Sequence, residues 1–209
     1  MIITTEEEAR SFCAARCDAS AMEKLVRFVS LLAAENEKQN LVARATLDTV
    51  WTRHIADSLQ LLDHCPAQVP EWLDLGSGAG FPGIALAIAR PESGLLLVES
   101  RRRRIEWVSD VCTSLALENC SILGSRLENV ETFEVGAITA RAFAPLGKLL
   151  SLSARFSTRS TVWLLPKGRS AVQELGEQPA SIRNMFHVEQ SATDSEAAIL
   201  IGKGRPPGR

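Results

Sequence analysis

The chain has 209 residues, 45% of them hydrophobic and 23% charged, with a formal net charge of −2. That size suits one domain, or one domain with a small attachment, and a chain so close to neutrality does not coat nucleic acid nonspecifically, so contact with RNA or DNA must run through a local patch. No apolar run reaches the roughly 18 residues of a transmembrane helix, the acidic start MIITTEEEAR lacks the apolar stretch of a secretory signal, and a cytoplasmic protein is expected.

Residues 1–65 read as helical. Thr5 with Glu8 makes a capping box for a first helix. Met22, Leu25, Val26, Val29, Leu32 and Ala33 recur at three- and four-residue spacing, which predicts an amphipathic helix over 19–35. A third helix fits 46–64, with Val50, His54, Asp57, Leu61 and His64 close to one face. Pro66 and Pro70 then break the pattern. Strands are expected at 71–75, 95–99, 120–123, 135–139, 161–165, 185–189 and 197–201. Helices near 82–90, 101–116 and 145–156, and a short turn around 126–131, separate the first five. This alternation predicts an α/β fold with a mostly parallel, seven-stranded sheet covered on both faces. The last two strands have no long helix between them and are expected as a hairpin turning at 193–196. The organisation read from this is an N-terminal helical extension, 1–65, on a sheet domain, 66–209, forming one compact unit.

The five cysteines, at 13, 17, 65, 112 and 120, include no C-x-x-C pair, and the three histidines are scattered. No metal site is expected; reduced, mostly buried thiols are.

The stretch DLGSGAGFPG at 74–83 follows the first strand and opens a helix, the context in which a glycine loop holds a ligand. Two patterns overlap in it. Gly78, Gly80 and Gly83 spell the G-x-G-x-x-G of dinucleotide sites. Asp74, Gly76, Gly78 and Gly80 spell D-x-G-x-G-x-G, as in sites for S-adenosylmethionine. Counted from Gly76, which holds the strand-end place, the dinucleotide pattern fails at Phe81. A carboxylate at Asp74 suits a methionine ammonium and a nearby sulfonium better than a pyrophosphate. Glu99, ending the second strand, is placed to accept hydrogen bonds from both ribose hydroxyls of either cofactor. The loop therefore points to a nucleoside cofactor, with Asp74 favouring S-adenosylmethionine.

Six stretches in order carry a resemblance: NLVA at 40–43, HIADS at 54–58, WLDLGSGAGFPGIALAI at 72–88, SRLE at 125–128, RAFAP at 141–145 and LPKG at 165–168. Together they resemble the RsmG family (long called glucose-inhibited division protein B), the N7-guanine methyltransferases of small-subunit ribosomal RNA. The tail beyond 170 matches only in outline. The resemblance implies a Rossmann-like class I methyltransferase that methylates one guanine of 16S rRNA near the decoding site. It implies that Gly76, Gly78 and Phe81 contact the cofactor, that Leu127 and Glu128 meet the adenine, and that Arg141 lies at the back of the cofactor pocket. The implied partner is 16S rRNA or the 30S particle, with a monomer as the default.

The residues bear on the target atom. Enzymes acting on adenine N6 carry N-P-P-[YFW] after the fourth strand, where this chain reads R-A-F-A-P. Cytosine C5 enzymes need a cysteine nucleophile; the only Cys next to a proline is Cys65, in the wrong order and place. Guanine N7 has a free lone pair and no proton to lose, so transfer to it needs proximity and a placed field rather than a base.

His54 and Asp57 stand at i and i+3, a spacing that lets them pair; with Ser58 they tie the helices to the sheet or line the guanine site, and the structural role is favoured because nothing demands a base. Arg141 is a candidate for the target nucleotide or for the cofactor carboxylate. Of Arg101 to Arg104, four consecutive residues at about 100° per step, one or two at most can share an RNA-facing side. Lys148, Arg155, Arg159, Lys167, Arg169 and the tail 203–209 complete the expected RNA patch. Other readings stay open: a methyltransferase on another substrate, a non-catalytic nucleoside-binding regulator, and an NAD-dependent oxidoreductase, which Asp74 disfavours.

Overall fold

The Thr5 hydroxyl accepts the Glu8 amide at 3.1 Å and the Glu8 carboxylate accepts the Thr5 amide at 3.1 Å, the reciprocal pair that starts helix α1 (Glu6–Ala14). The computed structural model in which this is seen describes residues 2–207. Asp18 caps the next helix, α2 (Ala19–Asn36), by accepting the Ala21 amide at 2.7 Å. The buried stripe of α2 is Ala21, Leu25, Phe28, Leu32 and Asn36. The face expected from the sequence is thus turned by about one position, because Val26 is 45% exposed and Ala33 faces out. Phe28 decides the face, packing its ring 5.1 Å from Phe81 and 6.4 Å from Trp107.

The expected regular helix over 46–64 is not formed. A 3-10 turn, Arg44–Thr46, precedes a wound segment, α3, made of a π-helix Trp51–Ala56, one α turn Asp57–Leu59 and a 3-10 helix Gln60–His64. Its first free amides, Trp51 and Thr52, donate to the Glu6 carboxylate at 2.9 and 2.8 Å. That carboxylate acts as a helix cap from another helix, satisfying donors that would otherwise be orphaned.

The seven strands are β1 (Glu71–Leu75), β2 (Gly94–Val98), β3 (Cys120–Leu123), β4 (Ala137–Ala140), β5 (Val162–Lys167), β6 (Phe186–Gln190) and β7 (Ala198–Lys203). Each overlaps its expected span. The sheet order is β3-β2-β1-β4-β5-β7-β6. The first five strands run parallel, and β7 lies antiparallel between β5 and β6. Helices α4 (Gly83–Ala89), α5 (Arg102–Ser114) and α6 (Leu146–Ser153) make the crossovers. Two short helices, α7 (Ala171–Gly176) and α8 (Ala180–Arg183), have no counterpart in the elements expected from the sequence. Neither carries a periodic apolar stripe long enough to be recognised.

The sheet is buried on both sides. Trp72 points into one apolar cluster with Leu25, Phe28, Ile55 and Ile84, so the N-terminal helices and the sheet share a core. Leu73 and Leu75 point into the other, with Ile138, Trp163 and Leu149. This alternation follows from the two-residue period of a strand. The strand order reverses between β1 and β4, and the crevice at their carboxyl ends is where open α/β sheets bind ligands. No helix among the described residues is long and apolar enough to cross a membrane.

Candidate active site

The glycine loop leaves β1 at that crevice. Gly76, Gly78 and Gly80 have φ of +71°, +53° and +101°, left-handed values that glycine adopts without strain. A Cβ on Gly76 would also stand 2.8 Å from Cδ2 of Phe143. The loop rests on an aromatic bed. Phe81 is buried against Phe28, and the Trp107 indole donates to the Ala79 carbonyl at 3.0 Å.

Above the loop opens a cavity of about 510 Å³, within the size range of small-molecule sites. Gly76, Gly78, Phe81, Glu99, Leu127, Glu128 and Arg141 all lie on its wall, so the structure brings the whole predicted set together. Glu99 is fixed there by three backbone amides, of Gly78 at 3.0 Å, Ser100 at 2.7 Å and Arg101 at 2.8 Å. An ionised carboxylate accepts about four hydrogen bonds, so Glu99 keeps capacity for a ligand hydroxyl. Leu127 and Glu128 sit in the 3-10 turn Leu127–Asn129 after β3.

The N-terminal part supplies wall as well. Leu41 and Val42 line the cavity, their amides donating to Asn36 Oδ1 at 2.9 Å each. Arg104 holds the same loop by donating to the carbonyls of Leu41 and Asn40. It is therefore a tether rather than an RNA-facing charge. The NLVA stretch was the signal for this wall, but spacing alone gave it no role.

Asp74 departs from the role expected of it. Its side chain is fully buried and is not among the residues that line the cavity. It alternates to the opposite side of β1 and abuts the start of α4, where a Cβ on Gly83 would come 2.6 Å from Oδ2. Neither carboxylate oxygen has a hydrogen-bond partner among the described residues. Burial pushes its pKa up to about 6, and the nearby Ser77 hydroxyl and Gly83 amide offset only part of that.

Arg141 leaves the end of β4 and reaches α3. Its Nη1 donates to Asp57 Oδ2 at 3.1 Å and to the Arg53 carbonyl, and its Nη2 to His54 Nδ1 at 3.1 Å. With Nδ1 accepting, the proton is on Nε2, which meets Thr46 Oγ1 at 2.8 Å; that hydroxyl donates on to the Ala43 carbonyl. Burial, with the Arg141 charge next, pushes the His54 pKa down to about 3, so the ring is neutral. His54 and Asp57 do not pair with each other, as the sequence suggested. They share Arg141, because the π turn and the α turn that follows it present both toward β4. The His54 ring also stacks on Phe81 at 5.0 Å and 18°.

A second cavity, about 720 Å³, lies on the far side of Arg141, lined by His54, Asp57, Lys167 and Thr193 among others. Both cavities share the segment Arg141, Ala142, Phe143 and Ala144. Lys167 is not a free charge: its Nζ is paired with Glu174 at 2.8 Å and donates to the Ala144 carbonyl at 3.1 Å. Arg169 is paired with Glu196, Arg102 with Glu106, and Arg155 is bound to the Leu127 carbonyl. The expected RNA patch is thus partly spent on internal contacts. Of its tail, Gly208 and Arg209 lie outside the described residues.

The same fold occurs in solved methyltransferases. The O-methyltransferase TomG from Streptomyces achromogenes, solved in complex with SAM, matches with a TM-score of 0.56 and 13% identity, over 85% of this chain and 89% of that one. The sheet order, and the glycine loop and cavity at the switch point, are those of the Rossmann-like class I methyltransferase fold. The family model for rRNA small subunit methyltransferase G (GidB) matches residues 21–198. Ribosomal RNA small subunit methyltransferase G of Erythrobacter litoralis is 59% identical over 204 residues, 98% of this chain and 99% of that protein. Its namesake in Novosphingobium aromaticivorans is 50% identical over 208 residues, 97% and 90%. The chain belongs to the rRNA small subunit methyltransferase G family, and is an S-adenosylmethionine-dependent rRNA methyltransferase. The resemblance carried by the six stretches is borne out.

Proposed function

We propose that the protein methylates N7 of one guanine in 16S rRNA near the decoding site, on naked rRNA or on a 30S particle. It does so as a monomer in the cytoplasm. The observation that carries the reading is the shared wall: two cavities, one beside the glycine loop and one beyond Arg141, meet along residues 141–144. A nucleoside cofactor in the first faces a flipped base in the second.

In this reading Gly76 and Gly78 let the backbone approach the donor, and Phe81 closes the floor beneath it. Glu99 accepts from the ribose hydroxyls, Leu127 and Glu128 meet the adenine, and Arg141 marks the boundary with the target. The extension 1–65 contributes cavity wall through Leu41 and Val42. S-adenosylmethionine supplies an electrophilic methyl on a sulfonium. The N7 lone pair would form the new bond as the carbon–sulfur bond electrons stayed with sulfur, the positive charge would pass to the guanine, and no proton would have to leave. The chain's own residues fit this economy. His54, which lines the second cavity, has Nδ1 engaged by Arg141 and Nε2 protonated, so it holds position instead of taking a proton. Catalysis then rests on placement, with Arg141 held in position at the boundary by His54 and Asp57.

The test is transfer of tritiated methyl to 30S subunits, followed by borohydride reduction and aniline cleavage, which cut RNA at N7-methylguanine. One cut in 16S rRNA is expected. Label in 16S rRNA without a cut overturns the N7 assignment.

A further inference from the structure

Four residues stand between the two cavities. Arg141 is committed to His54, Asp57 and the Arg53 carbonyl. Ala142 and Ala144 present only methyl groups. Phe143 is the remaining large side chain, half-buried and lining both cavities. Its ring lies over the cofactor loop, in the space that a Cβ on Gly76 would need. The backbone just before it is strained: Ala142 has φ of +55°, rare for a residue with a side chain. Such strain persists where the surroundings hold it in place, and here it turns Phe143 toward the loop while Arg141 runs to α3.

We propose that Phe143 is the platform on which the target purine stacks, a substrate-binding role resting on the N7-guanine reading. A flipped base loses two stacked neighbours and needs an apolar, flat replacement. Of the shared residues only Phe143 offers one, and its contact with Gly76 ties that platform to the loop beside the donor. The ring moves no proton. It holds the plane of the base so that N7 faces the first cavity.

The experiment compares full-length wild type with Phe143→Leu, Phe143→Ala and Phe143→Tyr. Calorimetry gives the S-adenosylhomocysteine affinity, steady-state kinetics with 30S subunits gives kcat/KM, and thermal melts report folding. Leu, close in volume, serves if Ala does not fold. Phe143→Leu is expected to keep S-adenosylhomocysteine affinity within about twofold and to lose roughly 5- to 150-fold in kcat/KM for 30S subunits, as expected when one base–aromatic stack is removed. Phe143→Tyr is expected to stay within about threefold of wild type. The proposal is overturned by a Leu variant as active as wild type, by Leu and Tyr impaired alike, or by a kinetic loss matched by an equal loss of cofactor affinity. Wild type that leaves N7 unmodified overturns the N7 reading instead, so the two failures are separable.

Discussion

Arg141 and His54 are joined across the molecule, Nη2 donating to Nδ1 at 3.1 Å, so that an arginine from the sheet meets a neutral histidine from the N-terminal helices. The pair explains how Arg141 stays fixed at the boundary of two cavities. Asp57 keeps other partners if Arg141 is removed, since Gln60 Nε2 and Thr193 Oγ1 donate to its Oδ1 at 2.9 and 3.0 Å. Arg141→Ala is expected to lower methyl transfer by roughly 100-fold or more, about 2.7 kcal/mol in the barrier, through lost placement at the boundary. Its melting temperature should fall by only a few degrees. Full transfer by this variant to 30S subunits would remove Arg141 from the site.

The neutral state of His54 has a pH signature. Its folded pKa is about 3, against 6.5 ordinarily. As pH falls, the unfolded chain takes up the proton first. The contribution of His54 to stability is whole above about pH 6.5 and declines between 6.5 and 3, by at most about 1.4 kcal/mol per pH unit. Asn keeps an acceptor near Nδ1 and does not titrate. The stability gap between wild type and His54→Asn, measured by urea unfolding, should shrink from pH 7 to pH 5; a constant gap contradicts a buried neutral imidazole.

Asp74 predicts the opposite slope. Its folded pKa is raised to about 6 from 3.8, so the native state holds the proton longer than the unfolded chain. The stability this brings is fully present below pH 3.8 and is lost as pH rises through 6. Above that, keeping the carboxyl buried costs up to about 3 kcal/mol. Asp74→Asn is expected to raise the urea midpoint at pH 8 and to leave it unchanged at pH 4. A variant less stable than wild type at pH 8 would mean that Asp74 has a partner there.

RNA affinity should depend on the charges left free. Arg101, Arg103, Arg126 and Lys148 are exposed and have no ion-pair partner among the described residues, and three of them rim the first cavity. Replacing each with Gln is expected to flatten the salt dependence of binding by about 0.7–0.9 for every phosphate that the arginine or lysine had neutralised. Lys167→Gln, which breaks an internal pair, should leave the slope alone. Filter binding across salt concentrations separates these outcomes, and an equal flattening by Lys167→Gln would return it to the RNA surface.

What the sequence disclosed and what it hid divide along physical lines. Strands β1 to β7 were legible because apolar runs between breakers are local signals. The walls of the first cavity were legible because Glu99, Leu127 and Arg141 all follow strands of one parallel sheet, and such ends converge. The winding of α3 was hidden, since the cap that supports it comes from Glu6, 45 residues away. The burial of Asp74 was hidden for a related reason. The motif gives its position on β1, but which way the side chain turns depends on α4 packing beneath the loop. Lys167 looked free until Glu174 was brought beside it by α7, a helix too short to be read in advance.

Strand β7 has a consequence for how the enzyme comes into being. It is the last strand among the described residues, yet it lies inside the sheet, between β5 and β6. During synthesis β5 keeps a bare edge of unpaired amides and carbonyls until residues 198–203 have been made, and β6 has no neighbour to join. The Ile3 amide, donating to the Ala192 carbonyl at 2.7 Å, likewise waits for that hairpin. Completion of the sheet therefore waits for residues 198–203: a chain stopped short of β7 leaves the β5 edge unpaired and open to association with other chains.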